Sequence, residues 1–170
     1  MLNASQSNQR ENAAAYNRRG VAYMRRKAYR EASFYFLSAA VCDPDYWQAF
    51  YNLGNCWVKL NEYEAAAWAY EQAVRNCSDY APLFLNLGIT YCQKGQVTKA
   101  LPYLEQAWRL NPDSAAASAA LGYVCYRLNE LGLSWHWYAR AYRLQPEKTE
   151  YKDSMQYIGK LISLAGANTD

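Results

Sequence analysis

The sequence has 170 residues, 52% of them apolar and 16% aromatic, with a net charge of +3. That length suits one domain able to bury a core unaided, and the apolar content excludes a disordered chain. The small positive balance does not by itself imply nucleic acid.

Residues 1–12 are rich in Ser, Asn and Gln and contain no apolar segment. They read as a disordered tail and not as a secretory leader. Asn12 is placed to cap a first helix running to about Arg26, with Ala13, Ala14 and Ala15 behind it as strong helix formers. A second helix is expected over Tyr29–Cys42, ended by Asp43-Pro44 because proline cannot continue a helix. Further pairs follow at Gln48–Leu60 with Glu62–Arg75, at Pro82–Lys94 with Val97–Leu110, and at Ser114–Leu128 with Glu130–Leu144. Pro82 is tolerated because it falls in a first turn. Asn61, Gly95 and Asn129 occupy the same place in the turn inside each pair and suit a left-handed helix end. Lys27 stands there in the first pair and is a poorer choice. A last helix is expected over about Glu147–Leu164, with Tyr151, Met155, Ile158 and Ile162 on one face, and Gly159 weakening it. Residues 166–170 should fray. No run approaches the roughly 20 apolar residues of a membrane span.

The pairs repeat. Gly20, Gly54, Gly88 and Gly122 are each 34 residues apart, as are Ala39, Ala73, Ala107 and Ala141. Around them recur Phe50, Leu53, Trp57, Ala66 and Tyr70, then Phe84, Leu87, Tyr91, Ala100 and Leu104. A fixed period of this length means stacked helix pairs, none of which can bury its apolar face alone. The small positions are where helices approach closely, and the aromatics fill the space beside them.

On these residues the chain resembles the tetratricopeptide repeat (TPR) family, over four repeats at 13–46, 47–80, 81–114 and 115–148, with a capping helix at 149–165. The departures are local: Arg19 for a Leu, Ser78 for a Pro, and Ser118, Cys125 and Ser134 in repeat four. The resemblance implies an all-α, right-handed superhelical solenoid whose first helices line a concave face. On that face stand Asn17, Arg18, Val21 and Arg25; Gln48, Tyr51, Asn52, Asn55 and Lys59; Leu85, Asn86, Ile89 and Gln93; and Tyr123, Tyr126 and Arg127. In related proteins an asparagine at the Asn52 and Asn86 position holds a bound peptide by its main chain, since a carboxamide both donates and accepts. Tyr51, Leu85, Ile89, Tyr123 and Tyr126 would supply apolar anchors, and Arg25, Lys59 and Arg127 would steer an acidic segment. The places where chaperone-clamp relatives carry Lys and Arg hold Asn17, Val21, Pro82 and Asn86, so that subtype is not expected.

Phe34, Trp68, Pro102 and His136 share one position on the second helices, with Trp135 beside them. An exposed aromatic stripe there would suit a partner or a homodimer. The five cysteines show no C-x-x-C spacing, so reduced thiols in a cytoplasmic protein are expected, with no metal and no cofactor. A single His without an orienting neighbour, and no phosphate loop, give no enzyme signature. The expected role is a protein-binding adaptor, scaffold or assembly factor for a peptide with acidic or apolar character. Two alternatives stand beside it: a secretion chaperone like those of type III translocators, and nucleic-acid binding through the Arg18–Arg30 cluster.

Overall fold

A computed structural model describes residues 4–167. Within them the chain forms α1 (Ala4–Arg25), α2 (Tyr29–Cys42), α3 (Trp47–Lys59), α4 (Tyr63–Arg75), α5 (Ala81–Gln93), α6 (Val97–Leu110), α7 (Ala115–Arg127), α8 (Leu131–Leu144) and α9 (Thr149–Ala167). No strand occurs among the described residues. Each helix packs against the next, and α1 touches α3 and α5 touches α7 across the intervening second helices. This is an all-α solenoid of helix pairs.

The first helix departs from expectation. It begins at Ala4, so most of the 1–12 segment is helical and Asn12 lies inside the helix rather than capping it. The Asn12 amide donates to Asn8 Oδ1 at 3.4 Å, and Arg10 reaches Asp43 at 3.8 Å. Such spacing-four pairing and a run free of Gly and Pro let a polar segment continue a turn that packing has already nucleated. The last helix also runs further than expected, to Ala167. The fraying expected beyond it, over 168–170, lies outside the described residues.

The turn inside each pair is built the same way four times. Lys27, Asn61, Gly95 and Asn129 have φ of 60°, 61°, 72° and 63°. Lys27 therefore adopts the left-handed conformation in spite of its side chain, which strains it.

Period-34 small residues make the core. A Cβ added at Gly20 would lie 2.6 Å from the Phe36 ring, one at Gly54 would lie 2.5 Å from the Tyr70 ring, and one at Gly88 would lie 2.5 Å from Leu104. Phe36, Leu53, Tyr70, Leu83, Leu87, Leu104 and Leu121 are buried through the length of the array, each contributing about 1.5–3 kcal/mol of transfer free energy. Repeat four is closed despite its polar substitutions. Ser134 is buried and donates to the Gly122 carbonyl at 2.8 Å, and buried Ser118 donates to the Ser114 carbonyl at 3.1 Å. A satisfied hydroxyl costs little to bury. Of the expected apolar face of α9 only Ile158 is fully buried, while Ile162 is 40% exposed.

Candidate functional site

The first helices of the pairs carry a row of carboxamides that hydrogen-bond from repeat to repeat. Asn52 Nδ2 donates to Asn17 Oδ1 at 3.0 Å, and Asn86 Nδ2 donates to Asn55 Oδ1 at 3.0 Å and to Tyr51 Oη at 3.3 Å. Asn17 Nδ2 in turn donates to Tyr46 Oη at 3.2 Å. Asn55 Oδ1 also accepts the Tyr70 hydroxyl at 2.8 Å. Burial holds the Tyr70 hydroxyl well above the ordinary tyrosine range, so it stays a donor throughout physiological pH. Tyr51 is raised in the same direction, again chiefly by burial. These bonds use amide hydrogens of Asn52 and Asn86 but not their carbonyl oxygens, and use Asn55 as acceptor but not as donor. Each side chain is only half-buried.

Two cavities lie on the first helices, and the first of them includes part of this row. One, of about 430 Å³, is lined by Met24, Tyr29, Asn55, Val58, Lys59, Tyr70, Asn86, Ile89 and Thr90. The other, of about 440 Å³, is lined by Ile89, Cys92, Gln93, Ala116, Ala119, Ala120, Tyr123 and, from the last helix, Tyr151. Both lie in the range of ligand-sized clefts. Ile89 belongs to both walls and is 37% exposed between them. Arg127 donates to the Tyr123 hydroxyl at 2.7 Å and lies over its ring, so its charge is tied to the rim of the second cavity.

Some expected groove residues are used elsewhere. Tyr51 packs edge-on against Tyr80 at 5.3 Å and tilted on Tyr70 at 6.0 Å. Leu85 packs into the junction between repeats three and four, beside Ala107 and Ala117. Val21 packs on the core cluster of Phe36, Leu53 and Cys56. Tyr126 meets Tyr157 of α9 edge-on at 6.1 Å. Gln48 is half-buried, whereas Arg18 and Arg25 are exposed, and none of the three lines either cavity. The structure adds Met24, Tyr29, Val58, Tyr70, Thr90, Cys92 and Tyr151. Ala119 and Ala120 carried a usable signal: they stand where the two preceding repeats hold Tyr51 or Leu85 and Asn52 or Asn86.

On the second helices, Phe34 is 65% exposed, Trp68 45% and Trp135 42%, and His136 is exposed. They are not one continuous surface of free rings. Trp68 leans on Phe50 and Trp57 at 6.0 and 6.1 Å, and Trp135 lies beside Gly159 of α9. Among the described residues no helix is long and apolar enough to cross a membrane, and no cluster of three potential metal ligands occurs.

No curated protein sequence matches the chain. YrrB, described as a TPR protein with an unusual peptide-binding site, superposes with a TM-score of 0.82 at 22% identity, over 95% of this chain and 84% of its own. MamA superposes with a TM-score of 0.84 at 18% identity, over 88% and 82%. The 41-end form of MamA from Desulfovibrio magneticus RS-1 gives 0.79 at 20%, over 89% and 92%. At these identities the likeness is one of fold. The tetratricopeptide repeat profile, by contrast, matches the sequence itself over residues 35–81 and 85–148. With the period-34 glycines and the stacked pairs, that match settles the family: the chain belongs to the tetratricopeptide repeat proteins.

Proposed function

We propose that this chain recognises an extended segment of another protein in the groove formed by its first helices, and serves by recognition alone as an adaptor, scaffold or assembly factor. The observation that carries this reading is the carboxamide row. Asn17 with Asn52, and Asn55 with Asn86, are hydrogen-bonded pairs that each join successive repeats, are half-buried, and leave the Asn52 and Asn86 oxygens and the Asn55 amide hydrogens unused. An extended main chain offers the complementary alternation of N–H and C=O groups. Prior fixing of the amides lowers the entropy cost of binding. The peptide-binding site described for YrrB, a protein of the same fold, supports the same kind of ligand.

The test is capture of partners from native lysate with the wild type and with an Asn52→Ala/Asn86→Ala variant, followed by affinity measurement on the partner's mapped segment. Each lost hydrogen bond is worth about 0.5–1.5 kcal/mol, so the double variant should bind roughly 5- to 150-fold more weakly. Equal binding by both proteins would refute the groove reading and direct attention to Phe34 and Trp68, where sedimentation of the protein alone would report a homodimer.

A further inference from the structure

The groove is different at its two ends, and the difference specifies a ligand. This step rests on the groove reading above. The repeat register explains the asymmetry. Where repeats two and three place Tyr51 and Leu85, then Asn52 and Asn86, repeat four places Ala119 and Ala120. Two truncations at adjacent positions remove both the bulk and the amide, and the 440 Å³ cavity opens over them, closed on its far side by Tyr151. Its lining is mainly alanine, Ile89 and the two tyrosines Tyr123 and Tyr151, with Gln93 and Cys92 as the other members and no charged residue, which suits a bulky apolar side chain.

The neighbouring 430 Å³ cavity is polar at its floor. Asn55, Asn86, Tyr70 and Thr90 meet there, and Lys59 is the one charged residue in its lining. Asn55 Oδ1 already accepts from Tyr70 and Asn86, so what Asn55 has left to offer is its N–H donors. The charge distribution points the same way. Helices α3, α5 and α7 contain no Asp or Glu, and their only charges are Lys59 and Arg127. A carboxylate finds the Asn55 donors and the Lys59 cation in this cavity with no competing anion, whereas an ammonium finds the unused Asn86 carbonyl oxygen but no counter-charge and a like charge at Lys59.

Ile89 is the one residue that lines both cavities. In an extended peptide, residues i and i+2 project to the same side about 7 Å apart, a spacing that straddles one such side chain. We infer that the ligand is an extended segment with a bulky apolar residue seated over Ala119 and Ala120 and, two residues from it, an aspartate or glutamate seated at Asn55 and Lys59.

The test uses short Ser/Gly peptides carrying one Phe and one Asp at separations of one, two or three residues, with Lys in place of Asp as control, read by fluorescence anisotropy on the full chain. The separation of two should bind roughly tenfold more tightly than the others, and Lys should lose about the same factor. Ala119→Leu restores the residue that the preceding repeat holds at Leu85. It should abolish the gain from Phe and keep the gain from Asp. Ala116→Leu, at an exposed position of the same cavity, does this duty if Ala119→Leu disturbs the helix signal in circular dichroism. Lys59→Glu should reverse the preference from Asp to Lys. Binding that is lost in Asn52→Ala/Asn86→Ala yet indifferent to separation and to both cavity substitutions overturns this inference and keeps the groove reading. Binding indifferent to every groove substitution overturns both. No binding tighter than about 1 mM by any Phe/Asp peptide also overturns the inference, and leaves the groove to be judged by the lysate partner.

Discussion

Gly54→Ala and Gly132→Ala are the same chemical change in two helices, and the structure gives them opposite signs. In an open helical site, replacing Gly by Ala stabilises by about 0.5–1 kcal/mol through backbone entropy. Gly132, in the first turn of α8, is such a site: nothing lies within 4 Å of an added Cβ. At Gly54 the new carbon would stand 2.5, 2.7 and 2.9 Å from three atoms of the Tyr70 ring. The ring has little freedom to retreat. It is 1% exposed, its hydroxyl is bonded to Asn55, and Tyr51 leans on it. Forcing a methyl group into such a core costs about 1–3 kcal/mol. The cost exceeds the entropic gain through most of that range, leaving a net loss of up to about 2 kcal/mol, or several degrees of Tm for a chain of this size. Urea titration followed by circular dichroism would measure both variants against wild type. Since Tyr70 holds Asn55, Gly54→Ala should also weaken peptide binding, whereas Gly132→Ala should not. A Gly54→Ala protein as stable as Gly132→Ala would refute the account of the period-34 glycines as close-contact positions.

Lys27→Gly should stabilise by about 1 kcal/mol, because it removes a side chain from a left-handed site that Gly95 fills without strain. The same urea titration checks it, and a loss of stability would show that the lysine chain makes a compensating contact. Burial pushes the Cys56 thiol from 9.0 up to about 12, so at any pH below 9 its thiolate population falls by about a thousandfold. Native alkylation with iodoacetamide at mildly alkaline pH, mapped by mass spectrometry, should label half-buried Cys42 well before Cys56. Early labelling of Cys56 would mean that the α1–α3 contact opens readily. The sign of the linkage follows: burial favours the neutral thiol, so its contribution to stability is complete below about pH 9 and is lost as pH rises towards 12.

The fold was legible because the repeat states it four times. Gly20, Gly54, Gly88 and Gly122 face Phe36, Tyr70, Leu104 and Tyr138, a pairing that the period alone predicts. The extent of α1 was not legible, since residues 4–12 lack an apolar face and only continuation of a nucleated helix explains them. The groove was legible in part. Asn17, Asn52, Asn55 and Asn86 fall on one face by spacing, and that register finds them. Whether an apolar residue on the same face stays in the groove or turns into the next repeat depends on its neighbours. Leu85 and Val21 pack against core clusters, and Tyr126 pairs with Tyr157 of α9. Tyr70 and Tyr151 enter the cavities from other helices, which no pattern within one first helix can show.

The amides that line the groove also tie successive repeats together, and they do so on one side of the array only. Asn86 Nδ2 spends both its hydrogens on Asn55 and Tyr51, so a ligand carbonyl that claims one takes it from the tie between repeats two and three. The glycine contacts between the helices of each pair are left untouched. Occupancy would thus loosen the inner edge while the outer edge holds, and the pitch of the superhelix would become a readout of whether the site is filled.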